Sequence, residues 1–302
     1  MAQRLIGVDV GGTKVSVAVL EDGHLSDPAI TPTDLSSSDA LVEQLVAVIE
    51  AAGPATAVGI GIPSVVDFAT GTARSSVNIP LQGVPLRYLL TERLGIPTFV
   101  DNDATVAALA EAHDDDMRPL ADIVVMFTVG TGVGGGIVIG GRTFRGSTGA
   151  APEIGHTIIA ATLDNGAPAS GHFPQPSSLE YHAAGRALDR LGLARGIGDG
   201  QRVVAAARMG DADALDAIRI LGEALGVGIA NAINTFDPDL VIVGGGVSTA
   251  GDLLLEPARD SAERFVVPGV GTRTQIRLAR YGPQAGVRGA TLLAGQELEP
   301  GR

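Results

Sequence analysis

The chain of 302 residues is long enough for two domains, or for one large domain with a full core. With 45% hydrophobic and 18% charged residues it is a globular chain, not a disordered one. A net charge of −13 argues against nucleic acid as a partner, and the absence of cysteine excludes disulfides, thiolate metal sites and a cysteine nucleophile.

In chain order, the start "MAQRLIGVDVGG" has no basic region leading into a long apolar core, so no signal peptide is expected. "LIGVDVGGTKVSVAVLEDGHL" reads as strand, Gly-Gly turn, strand. Asp39 to Ala52 has helical spacing, and "AVGIGIPSVVDFATGTA" returns to strand. "VPLRYLLTERLG" predicts a short helix and "PTFV" a strand, after which "DNDATVAALAEAH" opens an Ala-rich helix on Asx residues. The acidic stretch "HDDDMRPL" is the expected domain boundary. Ile123 to Gly141 is uncharged and long enough to span a membrane. Its seven glycines and two threonines split it into two β-branched blocks, so it reads as strand, glycine turn, strand. Helices are expected at Leu179–Leu191, Gln201–Met209 and Ala212–Asn234, then the strand "LVIVGGGVS". Two α/β halves, each opening on a glycine-turn hairpin, suggest two lobes around a cleft.

Three glycine-rich turns are candidate phosphate cradles: "DVGGTK" (Asp9 to Lys14), "TVGTGVGGG" (Thr128 to Gly136) and "VIVGGGVS" (Val241 to Ser248). Tight glycine turns expose several backbone N–H groups to one anion. None is a Walker A loop or a dinucleotide fingerprint. Each alone is equally a plain turn, but three in one chain favour a nucleotide. "VDNDA" (Val100 to Ala104) follows a strand and opens a helix. Capping accounts for one of its polar residues, not three, and a carboxylate held there could accept a hydroxyl proton. "EIGH" (Glu153 to His156) pairs an acid with an imidazole, or is only a surface pair in a loop or a satisfied core histidine. Ser177-x-x-Glu180 fits a capping box, which puts Ser177 at the helix start.

These stretches together resemble the ROK family of sugar kinases, especially its bacterial glucokinases. The resemblance runs through "IGVDVGGTKVSVAVL", "GIGIPSVVD", "NIPLQGVPL", "PTFVDNDATVAALAE", "FTVGTGVGGGIVIGGRTFRGSTGAAPEIGH", "LEYHAAGRAL" and "DPDLVIVGGGVS", over nearly the whole chain. It implies an α/β, two-lobed actin-like fold of hexokinase type with a central cleft. Residues 1–117 would form a smaller N-terminal lobe, completed by a C-terminal helix at about 286–302, and 118–285 a larger lobe. The implied activity is ATP-dependent phosphorylation of a hexose at its 6-hydroxyl, glucose first, with Asp103 as general base. Asn78, Asn102, Asp103, Glu153, His156 and Glu180 match the sugar-binding positions. Gly11, Gly12, Thr13, Lys14, Thr131, Gly132, Gly244, Gly245 and Gly246 match the ATP-binding ones, and Asp9 the partner of Mg²⁺ through water. A cytoplasmic homodimer, with no nucleic-acid or membrane partner, is what the resemblance implies.

Two departures stand out. Ser64 replaces the glycine that usually follows the proline of "GIPSVVD". Gly171, Phe173 and Ser178 replace the cysteines that bind zinc in family members, so no structural zinc is expected. His156 and His172 alone make a poor metal site. The alternatives are a kinase for mannose, fructose, allose or N-acylmannosamine, polyphosphate as donor, a non-catalytic sugar sensor, or a nucleotide-binding chaperone or filament protein on the same fold.

Overall fold

The structure is a computed structural model that describes residues 3–76, 78–164, 166–167 and 172–298. Its first elements are β1 (Leu5–Val10), β2 (Lys14–Glu21), β3 (His24–Leu25), β4 (Ala29–Pro32) and α1 (Ser38–Ala51). Then come β5 (Ala57–Ile62), β6 (Ser64–Asp67), β7 (Thr72–Ser76), α2 (Leu86–Leu94), β8 (Thr98–Asn102) and α3 (Asp103–Glu111). The chain continues through β9 (Ile123–Val129), β10 (Val133–Ile139), β11 (Arg142–Thr143), α4 (Leu179–Ala183), α5 (Gly185–Ala194), α6 (Gly200–Arg208) and α7 (Ala212–Phe236). It ends with β12 (Leu240–Gly244), α8 (Asp252–Phe265), β13 (Gln275–Leu278) and α9 (Ala285–Leu298).

The chain divides into two compact units. Unit 1 takes Met1–Asp122, Gly136–Pro152 and Tyr281–Arg302, and unit 2 takes Ile123–Gly135 and Glu153–Arg280. The first mixed sheet runs β3-β2-β1-β5-β8, with β4 on β2, and the second runs β11-β10-β9-β12-β13. β6 and β7 form a separate hairpin. In the first sheet β1 is antiparallel to β2 and parallel to β5, and β5 is parallel to β8.

Strand periodicity explains how unit 1 packs. On β1 and β5 the even positions Ile6, Val8, Val10, Val58, Ile60 and Ile62 join Leu41, Leu45 and Ile49 of α1 in one buried cluster. Each such side chain contributes about 1.5–3 kcal/mol when fully buried. The odd positions of the same strands include Gly7, Gly59 and Gly61. A β-carbon on Gly59 would lie 1.8 Å from the Ala290 carbonyl oxygen, and one on Gly7 2.2 Å from that of Val287. Glycine is therefore what lets α9 lie directly on the sheet. The alternation "AVGIGI" records a two-faced strand whose second face is a helix bed.

In unit 2, β12 is parallel to both β9 and β13. The 25-residue α7 lies against α8, with Gly222 and Gly226 at the closest approach.

One expectation changes. The helix expected over Leu179–Leu191 is two helices, because Ala184 is extended (φ −76°, ψ 166°) and the next amide, Gly185 N–H, donates to the Gly130 carbonyl at 2.7 Å. The acidic stretch at 113–120 is bound into unit 1. Arg288 Nη2 donates to the Asp114 carbonyl (2.7 Å), and the Tyr281 hydroxyl donates to the His113 carbonyl (3.0 Å). The first break between the two units falls just after this stretch, at Asp122/Ile123, and the carbonyls of its turn are used by residues far along the chain. The expected C-terminal helix begins at Ala285, and residues 299–302 lie outside the described ones. No described helix is long and apolar enough to cross a membrane.

Candidate functional site

In unit 1 the candidate residues gather at the ends of β1, β5 and β8. Asp9 lies near the end of β1, and Asp103 is the first residue of α3. They flank Gly61 of β5: a β-carbon there would be 3.5 Å from Asp103 Cα and 3.9 Å from Asp9 Oδ1. Burial, then the charge of Asp103, push Asp9 up to about 6, against the pull of Lys14. Burial also raises Asp103, whose Oδ1 accepts from Ala104 N–H at 2.8 Å. Two acids that burial holds above the ordinary carboxylate range make a place that a divalent cation would stabilise. The donor set fits Mg²⁺, which bonds few carboxylates directly and keeps its waters.

Asn102 is the N-cap of α3. Its Oδ1 accepts from Ala104 N–H (2.9 Å) and Thr105 N–H (3.1 Å), and its Nδ2 donates to the Ser64 carbonyl (3.2 Å). Its oxygen is thereby saturated, so Asn102 meets a further ligand as an N–H donor. Asn78 is exposed and faces Gly12, whose β-carbon would lie 3.4 Å from the Asn78 carbonyl. The turn Gly11–Lys14 is pinned by Gly11 N–H to the Lys14 carbonyl (2.8 Å) and by the Thr33 hydroxyl to the Gly11 carbonyl (2.7 Å). Thr13 and Lys14 are exposed on it, and Lys14 is the only lysine of the sequence.

In unit 2, Glu180 Oε2 accepts from Val133 N–H at 2.8 Å. A β-carbon on Gly132 would sit 2.4 Å from that same oxygen, so the glycine turn and the acid are in direct contact. Glu153 Oε2 stands 3.8 Å from His156 Nε2 across one 3₁₀ turn. Burial raises the Glu153 pKa, His156 opposes the rise, and Glu180 adds to it. Glu153, His156 and Glu180 therefore share one electrostatic environment.

The capping expectation at Ser177 is corrected. The N-cap of α4 is Ser178, whose hydroxyl accepts from Tyr181 N–H at 3.3 Å and donates to the Gln175 carbonyl at 2.7 Å. Ser177 instead offers its carbonyl to Ile159 and Ala160 N–H. The chain turns one residue later than the box pattern implies. Phe173 sets its ring edge-on to His156, centroids 5.4 Å apart. Gly171 lies outside the described residues. Among those described, no three His, Asp or Glu side chains gather as a metal cluster.

The remaining glycine turns adjoin one another in unit 2. Gly130 N–H donates to the Gly132 carbonyl (2.9 Å), and Gly130's own carbonyl accepts from Gly185. Gly245 (φ +87°) leaves no room for a β-carbon, which would lie 2.4 Å from the Val129 carbonyl. Gly130 and Gly246 face open space. Thr131 is exposed on the first of these turns, and Gly244 is buried at the end of β12.

Sequence reasoning missed two contributors. Gly286, in the first turn of α9, abuts the Asp9 carboxylate, and a β-carbon there would be 2.4 Å from its carbon. Arg145 bonds the buried Asp101 at 2.7 Å. The small residues of "GPQAGVRGA" hinted at the first, and no local signal marks the second.

The sequence matches the ROK family over residues 5–297. The glucokinase of Halalkalibacterium halodurans is 33% identical over 322 residues, spanning 97% of this chain and 95% of that protein. Among solved structures, a ROK hexokinase from Thermus thermophilus matches with a TM-score of 0.81 at 32% identity, covering 99% of this chain and 100% of that one. A ROK family glucokinase from Streptomyces griseus, solved with glucose and AMPPNP, matches with a TM-score of 0.79 at 33% identity, covering 97% and 99%.

Proposed function

The chain belongs to the ROK family, with glucokinases among its relatives, and on that premise we propose that it transfers the γ-phosphoryl group of ATP to the 6-hydroxyl of a hexose, glucose first. The observation that carries the reading is Asp103. It is a carboxylate at the start of a helix, beside a polar Asn102, with its pKa raised by burial. Such a group takes a proton more readily near neutral pH than an ordinary aspartate.

In this reading Asn78, Asn102, Glu153, His156 and Glu180 hold the sugar hydroxyls, and Asp103 accepts the proton of the 6-hydroxyl as its oxygen attacks the γ-phosphorus in line. The phosphate oxygens are met by backbone N–H groups of the turns at Gly11–Lys14 and Thr131–Gly132, and by the Lys14 ammonium. Gly244, Gly245 and Gly246 line the adenosine side. Asp9 would hold Mg²⁺ through water, and the ion supplies neutralisation of phosphate charge. Base catalysis contributes about a hundredfold or more.

ADP release measured over a panel of hexoses tests the proposal. Turnover with glucose ahead of mannose, fructose, allose and N-acylmannosamine supports it. Tight hexose binding without ADP release would point to a sensor instead.

A further inference from the structure

Ser64 is buried, 5% exposed, at the first position of β6, and is paired in register with Ser76 at the last position of β7. The two side chains are joined. Ser64 Oγ donates to Ser76 Oγ at 2.9 Å, and Ser76 Oγ donates on to the Ile79 carbonyl at 2.8 Å. The backbone of Ser64 faces the other way, its carbonyl accepting from Asn102 Nδ2 at 3.2 Å. A continuous path of hydrogen bonds thus runs from the Asn102 amide, through Ser64 and Ser76, to the residue next to Asn78. The path ties together two asparagines that lie far apart in sequence.

We propose that Ser64 is a positioning residue that fixes the spacing between Asn102 and Asn78, and thereby sets selectivity among hexoses. This rests on the sugar-kinase reading, in which both asparagines meet the sugar. Epimeric hexoses differ in the direction of one hydroxyl. A site that holds two donor groups at fixed separation rejects the epimer whose hydroxyl leaves a buried polar group unpaired. A glycine at 64 keeps the carbonyl bond to Asn102 but has no hydroxyl to reach Ser76, and it loosens the backbone at the same point. The Asn78 loop then loses its link to the strand that carries Asn102.

The test compares the wild-type chain with Ser64→Ala, Ser64→Gly and Ser76→Ala. It measures KM and kcat for glucose and mannose, KM for ATP, hexose Kd by calorimetry without nucleotide, and thermal unfolding. Losing one hydrogen bond of this kind is expected to raise hexose KM and Kd about three- to tenfold. KM for ATP stays within about twofold, and the glucose-to-mannose ratio of kcat/KM shifts by about threefold or more. Ser64→Ala removes the link between the two serines and Ser76→Ala removes that link and the one to Ile79, so both should shift the hexose constants in the same direction, Ser76→Ala at least as far. Unchanged hexose constants in all variants overturn the proposal. So does a parallel loss toward hexose and ATP with lowered unfolding temperature, which marks a merely structural role. If the wild-type chain neither binds nor phosphorylates any hexose, it is the kinase reading that fails.

Discussion

Arg145 Nε donates a 2.7 Å hydrogen bond to Oδ2 of Asp101, an acid only 1% exposed and two residues ahead of Asp103. The other oxygen, Oδ1, accepts from Asn102 N–H at 2.9 Å. The guanidinium is held in turn by Glu297 Oε1 (3.3 Å) and by the ring of Phe68, 3.5 Å beneath its central carbon. The end of β8 is thus anchored through a buried charge, and the anchor comes from a segment more than forty residues further on.

The first prediction follows from that anchor. Burial pushes Asp101 up in pKa and Arg145 pulls it down. Arg145→Met removes the charge that offsets that burial and leaves the Asn102 N–H bond to hold the carboxylate, and is expected to cost about 3–5 kcal/mol of stability. Arg145→Lys, which keeps the charge but not the planar fork, should cost less. Denaturant unfolding checks both, and a Met variant within about 1 kcal/mol of wild type would show the pair to be dispensable.

Asp103→Asn should lower kcat by about 10²–10⁴ while hexose Kd changes only a few-fold. An amide can still hydrogen-bond a hydroxyl but cannot take its proton. Steady-state kinetics with calorimetry separates the two quantities. Near-normal turnover in this variant would remove Asp103 from the chemistry.

Asp9 carries a pH signature in the metal-free protein. Burial raises its folded pKa to about 6, above the 3.8 of a free aspartate. Between those values the folded state holds more protons than the unfolded one, so stability falls as pH rises through the window. The full difference is of order 3 kcal/mol. Without metal, Asp9→Asn should therefore melt higher than wild type at pH 7, and the gap should close toward pH 4. Added Mg²⁺ should raise the wild-type unfolding temperature at pH 7 and leave the variant unmoved. Equal pH profiles for the two proteins would contradict the assignment of charge at this position.

Gly132→Ala places a methyl 2.4 Å from Glu180 Oε2, where a carboxylate already stands. Glu180 must move, and its bond to Val133 N–H with it. Hexose KM is expected to rise about tenfold, the scale of one charged hydrogen bond lost. Circular dichroism should remain that of wild type. A variant with unaltered hexose KM would exclude Glu180 from sugar binding.

Lys14 offers a chemical probe. It is exposed and is the only side-chain amine in the sequence. An amine-reactive label should mark only Lys14 and the terminal amine, and ATP should slow the labelling of Lys14 severalfold. Peptide mass mapping reads the result, and labelling at equal rate with and without ATP would place Lys14 away from the phosphates.

What the sequence made legible was local. Alternation on β1 and β5, the Asx cap of α3 and the glycine turns are all written in neighbouring residues, and each appears in the fold. The break at Ala184 was hidden because alanine has high helix propensity. It is extended where the following amide, Gly185 N–H, binds Gly130, a contact no helical spacing encodes. Ser177 and Ser178 are equally good caps on paper, and the carbonyl of Gln175 decided between them. Ser64 and Arg145 were illegible as connectors because their partners lie 12 to 152 residues away. Pairing across such distances is a property of the fold and not of any window of sequence.

Unit 1 is drawn from three separated stretches of chain, and the last of them supplies the helix that lies on Gly7 and Gly59. A ribosome makes β1 and β5 first and α9 only after all of unit 2 has been made. Domains tend to fold as units while they emerge, but here the first sheet has one face covered and the other waiting until α9 arrives. Order of synthesis and order of completion are therefore reversed. The β1–β5 part of unit 1 is made before unit 2 and closed after it, and a nascent chain stalled before residue 281 would leave the glycine face of those strands bare.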